Sequence, residues 1–130
     1  MTAVQEARPS RRVLVVEDEA IVAMLIEDML RLIGLEIVGP AGTVQRALRL
    51  IDTETASLDG ALLDVNLGTE PVYPVAERLR QLGVPFVFIT GYGAAGVDGA
   101  FAGTPVLEKP FELDDVEAVI ARCFPERPAH

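Results

Sequence analysis

Residues 12–19 read RVLVVEDE, a short β-branched run that stops at the acidic triplet Glu17-Asp18-Glu19. A strand that is apolar throughout, rather than alternating, fits a parallel sheet buried on both faces. The residues that follow supply the helix such a sheet needs. From Ala20 to Ile33 the residues Ile21, Leu25, Met29 and Leu32 recur at helical spacing and predict a core-facing stripe. Gly34 stands where a helix C-cap is expected.

The same alternation continues along the chain. Leu35–Gly39 reads as a second strand, and Thr43 is placed to cap a helix running to about Glu54, with Val44, Ala47, Leu48 and Ile51 inward. Leu58–Leu63 reads as a third strand ending at Asp64, and Asn66–Glu70 as a polar loop. A third helix is expected over Pro71–Leu82, with Pro74 in its first turn and Gly83 ending it. Val84–Ile89 is a fourth strand. Gly91–Gly103 holds glycines at 91, 93, 96, 99 and 103, and predicts only a short, frayed helix over Ala94–Phe101. Thr104–Leu107 is a fifth strand, and Phe111–Phe124 a last helix with Leu113, Val116, Val119, Ile120 and Cys123 inward.

Strand followed by helix, five times over, predicts an α/β fold. It is a doubly wound, five-stranded parallel sheet between helical layers, a flavodoxin-like sandwich. One domain over residues 11–124 accounts for every element, leaving 1–10 and 125–130 as flexible termini.

Composition narrows the function. Half of the 130 residues are apolar, which suits a packed core rather than disorder. No run reaches the ~20 apolar residues of a membrane span, and MTAVQEARPSRRV lacks a signal-peptide pattern. A cytoplasmic protein is expected, with no membrane partner. The single cysteine, Cys123, excludes an intramolecular disulfide framework and a cysteine-rich zinc site. A net charge of -9 disfavours direct nucleic-acid binding, and the trio Arg8, Arg11 and Arg12 is too short to offset it.

In open parallel sheets ligands bind beyond the carboxyl ends of the strands. That rule gathers Glu17, Asp18, Asp64, Thr90, Glu108 and Lys109 on one rim. Carboxylates crowded there repel one another, and a hard cation such as Mg2+ relieves the repulsion with octahedral oxygen ligands. Asp18 and Asp64 are the best direct ligands. Glu17 binds directly or through water, and the Asn66 backbone carbonyl lies close along the chain. Lys109 and Thr90 offer a cation and a hydroxyl to Asp64 or to a phosphoryl group. A carboxylate is a competent nucleophile toward phosphorus.

Taken singly, each residue has an ordinary alternative. Asp18 suits a helix start, Lys109 a surface site, and Thr90 a turn. Tyr92 reads equally as a surface aromatic or a partner contact. GYG at 91–93 lacks the ending of a phosphate loop, and His130 is terminal.

Four segments together, VLVVEDE (13–19), LLDVNLG (62–68), FIT (88–90) and LEKPF (107–111), resemble the receiver domain of bacterial two-component response regulators. The resemblance spans roughly residues 11–124. It implies that a sensor histidine kinase or histidine phosphotransfer protein donates a phosphoryl group to Asp64. Glu17, Asp18, Asp64 and the Asn66 carbonyl would hold Mg2+, while Thr90 and Lys109 would contact the phosphoryl group. It also implies a cis bond before Pro110. PFVFITGYG (85–93) partly matches a subgroup marked by Phe-Ala-Thr-Gly-X-Tyr, with Ile89 for alanine and Gly93 for tyrosine. Members of that subgroup are often single-domain regulators.

Many receivers carry an aromatic switch residue three positions before the lysine, where this chain has Val106. The response is then expected to travel through Thr90, Tyr92 and the glycine-rich segment to an unidentified downstream protein. Tyr92 and Val106 are the candidate output contacts. The domain would signal by contact or act as a phosphate sink, with slow loss of phosphate as its only catalysis. The alternatives are a small Mg-dependent phosphohydrolase of similar topology and a pseudo-receiver that works without phosphorylation.

Overall fold

The computed structural model describes residues 10–68 and 70–126. Arg8, His130 and nearly all of the two terminal segments lie outside the described residues.

The sheet is built as its apolar strands require. β1 (Arg12–Val16), β2 (Glu36–Ala41), β3 (Gly60–Asp64), β6 (Phe86–Thr90) and β7 (Val106–Glu108) form one parallel sheet in the order β2-β1-β3-β6-β7. Register runs Val13 to Gly60, Ala61 to Phe86 and Phe88 to Val106. Successive side chains along a strand point to opposite faces, and each face has its own core. Val13, Val15, Leu62, Val87 and Ile89 pack against α1 (Ala20–Ile33) and α4 (Leu113–Cys123). Leu14, Val16, Leu63 and Phe88 pack against α2 (Val44–Glu54) and α3 (Tyr73–Gln81).

One contact closes the sheet tightly. A Cβ on Gly60 would fall 2.5 Å from the Phe124 ring, so β3 begins with the one residue that lets this aromatic lie flat on it.

Four expectations are corrected. The face of α1 is the first. Ala23, Ile26 and Leu30 are buried, whereas Ile21 and Leu32 are 82% and 75% exposed and Leu25 is 47% exposed. Apolar residues surround this helix nearly all round, so the 3.6 period alone does not say which stripe meets the sheet.

Second, the fourth crossover contains no α-helix. It forms two 3-10 turns, Gly93–Gly96 and Gly99–Phe101, the second capped by Asp98 Oδ1 accepting from the Ala100 N–H at 2.8 Å. Each glycine costs about 1 kcal/mol against alanine in a helix, and five in thirteen residues defeat α-helical propagation.

Third, the stretch read as a polar loop holds a two-stranded antiparallel ribbon, β4 (Asn66–Leu67) with β5 (Glu70–Pro71). Fourth, β2 runs past Gly39 to Ala41. Among the described residues, no helix is long and apolar enough to cross a membrane.

Candidate functional site

β1 and β3 are neighbours at the centre of the sheet, and their connections leave to opposite faces. Their carboxyl ends therefore open a crevice where the strand order reverses. Glu17 follows β1 directly and is tied to the sheet by its N–H, which donates to the Ala41 carbonyl at 2.9 Å. Asp64 is the last residue of β3. The next residue, Val65, donates its N–H to the Ile89 carbonyl at 3.0 Å, which extends the β3–β6 ladder past the acid. Glu17 and Asp64 are buried, and Asp18 is exposed at the mouth.

The three carboxylates converge. Glu17, Asp18 and Asp64 each offer one oxygen, and these oxygens lie within 4.8 Å of one another. Lys109 comes from beyond β7, where its N–H donates to the Thr90 carbonyl at 2.9 Å. Its Nζ donates to Asp64 Oδ2 at 2.9 Å and lies 3.8 Å from Glu17 Oε1. Asp64 Oδ1 accepts from the Asn66 N–H at 2.9 Å. Both Asp64 oxygens are thus oriented by donors from different loops.

The electrostatics are unbalanced. Glu17 Oε2 accepts from the Glu19 N–H at 3.0 Å, but Oε1 is buried with no hydrogen-bond partner. Burial first, then contact with the Asp64 carboxylate, pushes the Glu17 pKa up to about 8, against the Glu19 N–H and Lys109. Burial works against the Lys109 ammonium. The bond to Asp64 and the charges of Asp64, Glu17 and Glu19 outweigh it and raise its pKa above the ordinary lysine value.

A buried carboxylate oxygen without a donor is costly. An all-oxygen set around it has the chemistry a hard divalent cation takes. The residues present therefore fit such an ion.

A cleft of about 390 Å³ opens here, lined by Glu19, Asp64, Asn66, Thr90, Tyr92 and Lys109 among others. Thr90 is buried, and its Oγ1 accepts from the Tyr92 N–H at 3.0 Å. Tyr92 is exposed. Val106 is half-buried on β7 and packs against the core that α2 and α3 cover. The Lys109–Pro110 bond is cis, as is Gly39–Pro40.

Two contributors to the rim escaped the reading of the sequence. Glu19 holds Glu17 through its backbone, a role no side-chain pattern reveals. Gly68 has φ +66°, and a Cβ there would come within 3.5 Å of Asp18 Oδ2. Glycine is the residue that adopts this conformation without strain. Glu70, the one acid of the loop Val65 to Glu70, is engaged elsewhere. Its Oε2 accepts from the Val44 N–H at 3.2 Å, at the start of α2.

Comparison with known proteins agrees with this geometry. Residues 13–121 match the response regulator receiver domain. The transcriptional regulatory protein PdtaR of Mycobacterium tuberculosis is 32% identical over 118 residues, covering 85% of this chain and 55% of that protein. The phyllosphere-induced regulator PhyR of Methylorubrum extorquens is 31% identical over 115 residues, covering 86% of this chain and 43% of that protein. The chain thus spans about half the length of these curated relatives. The BeF3-activated conformation of SdrG from Pseudomonas melonis Fr1 is 42% identical, with a TM-score of 0.71 over 93% of this chain and 97% of that one. A five-stranded parallel sheet in this order, with clustered carboxylates at its carboxyl edge and a family match over most of its length, belongs to the response regulator receiver domain family.

Proposed function

We propose that this domain accepts a phosphoryl group on Asp64 from a phosphohistidine donor and signals by contact with another protein. The observation that carries the reading is the state of Asp64. It is a buried carboxylate with Lys109 at 2.9 Å and two further carboxylates beside it. In the transfer, the phosphorus–nitrogen bond of the donor breaks as a bond forms from an Asp64 oxygen to phosphorus. Glu17, Asp18, Asp64 and the Asn66 carbonyl would hold Mg2+, which when bound neutralises charge on the phosphoryl oxygens. Lys109 releases Asp64 Oδ2 and follows the charge onto a phosphoryl oxygen. Thr90 donates its hydroxyl to another.

The donor has a surface to use. The exposed stripe Ile21, Met24, Leu25 and Leu32 lies on α1, which starts immediately after the acidic triplet. A donor seated on this apolar face would meet the rim at the start of α1, beside Ile21. Substituting Leu25→Asp is expected to slow transfer from a phosphohistidine protein while leaving labelling by acetyl phosphate intact. Equal slowing of both would remove the docking role.

The test of the acceptor itself is direct. Incubation with Mg2+ and acetyl phosphate is expected to add one phosphoryl mass to the protein, and D64A is expected to add none. An equal adduct on D64A would overturn the assignment.

A further inference from the structure

Thr90 ends β6, and its hydroxyl oxygen accepts the Tyr92 N–H rather than meeting the acids. Among the described residues Oγ1 takes the Tyr92 N–H at 3.0 Å and makes no bond to Asp64 or Lys109. The chain at Gly96 comes back against this hydroxyl. A Cβ on Gly96 would lie 2.7 Å from Thr90 Oγ1 and 3.0 Å from Tyr92 Cβ. Gly96 is not among the glycines with positive φ, so space rather than backbone conformation demands a glycine.

The other side of the same segment is held by α3. Tyr73 Oη accepts from the Asp98 N–H at 2.8 Å and lies 3.5 Å from the Gly96 carbonyl. The Tyr73 ring stacks on Phe101, with centroids 5.3 Å apart and planes 13° from parallel. Arg80 donates to the Ala100 carbonyl at 3.2 Å, and its guanidinium lies 4.3 Å from the Phe101 ring centroid. The segment between Gly93 and Phe101 is therefore clamped between Thr90 and α3.

We propose that Gly96 and Tyr73 are positioning residues for Thr90. The first leaves room for the hydroxyl to rest on the Tyr92 N–H, and the second holds the segment in that place. A threonine Oγ1 occupies one staggered well at a time. Turning it toward a phosphoryl group gives up the Tyr92 bond and empties the space beside Gly96. The glycine-rich segment then loses its support on the Thr90 side, and the contacts at Tyr73 carry the change to the α3 surface. This inference rests on Asp64 being the phosphoacceptor.

The test uses NMR amide exchange and BeF3 titration in Mg2+ on the wild type, G96A, Y73F, T90A and T90A/G96A. Without BeF3, Tyr92 N–H exchange is expected to quicken about fivefold in G96A, the scale of one lost hydrogen bond. The Asp98 N–H is expected to respond likewise in Y73F. Both single variants weaken the resting arrangement, so each is expected to bind BeF3 a few-fold more tightly, on the order of that same bond.

In the T90A background, G96A is expected to leave BeF3 affinity unchanged. A purely structural effect through Tyr92 Cβ would appear in both backgrounds. An equal G96A effect with and without the hydroxyl, or unchanged Tyr92 exchange in G96A, overturns the role of Gly96. Unchanged BeF3 affinity in Y73F overturns that of Tyr73. The two readings fail separately. A wild type that forms no BeF3 adduct, yet shows the expected Tyr92 exchange, refutes the acceptor and not the Thr90–Gly96 contact.

Discussion

The rim and the fourth crossover leave the same edge of the sheet and are built from opposite materials. Glu17 directly follows, and Asp64 ends, a strand with no exposed residue, and backbone N–H groups or Lys109 reach three of their four oxygens. The Gly91–Gly103 connection has five glycines and two 3-10 turns, the second of which buries Phe101. Chemistry that depends on distance belongs on the first kind of structure. A response that depends on moving between arrangements of similar free energy belongs on the second. Thr90 is the joint between them, last in a buried strand and first to touch the glycine-rich segment.

The largest expected effect sharpens the rigid side. K109A removes the cation that, among the described residues, pairs with Asp64, and is expected to slow acetyl phosphate labelling by on the order of 100-fold, as for loss of a donor to developing charge. A loss under about threefold would mean that Lys109 is dispensable to the rim.

Gly60→Ala tests whether the β3 scaffold is as tightly packed as it looks. The added methyl must displace the Phe124 ring, and the expected loss is about 1–3 kcal/mol in urea unfolding. A neutral result would show that the sheet yields as readily as the crossover.

Glu17 offers a test in pH. Its folded pKa is raised to about 8, so the metal-free folded state binds a proton that the unfolded chain releases near pH 4.5. The stability this contributes is complete below pH 4.5 and is lost as pH rises through 8. E17Q removes the titration. It is expected to flatten the pH dependence of metal-free stability over that window and to stabilise the protein at pH 8 by about 1–2 kcal/mol. A steeper dependence in E17Q would contradict the assignment. Excess Mg2+ is expected to reverse the order, with the wild type gaining more.

The smallest effect lies on the soft side. R80A removes the guanidinium over Phe101 and is expected to cost about 0.5–1 kcal/mol, with faster amide exchange confined to residues 93–103. Exchange that spread into β6 would dissolve the distinction between the two regions.

Much of this was legible in the residues. RVLVV, Leu58–Leu63 and Val84–Ile89 read as strands because each is a short, mainly apolar run that stops at an acid or a hydroxyl, Glu17, Asp64 or Thr90. The rim followed from topology, since parallel strands bring their carboxyl ends to one edge whatever the loops do. The inward face of α1 was not legible. Two apolar stripes on one helix satisfy the same period, and only packing against Val13, Val15 and Leu62 selects Ile26 and Leu30 over Leu25 and Leu32. The glycines showed that a fourth helix would be weak, but nothing local to them pointed to Tyr73 and Arg80 as its replacement anchors.

The sequence by itself determined the strand–helix alternation, the parallel sheet and the meeting of Asp64 with Glu17, Asp18 and Lys109. These depend on local pattern and on the handedness of crossovers, which are near-universal. Tertiary structure alone decided which donor reaches which oxygen and that Glu17 Oε1 is left without one. It also decided that Gly96 lies against Thr90 and that Tyr73 clasps the far side of that turn. Those contacts join residues distant in sequence, and their distances follow from close packing of the whole domain rather than from any segment's own preference.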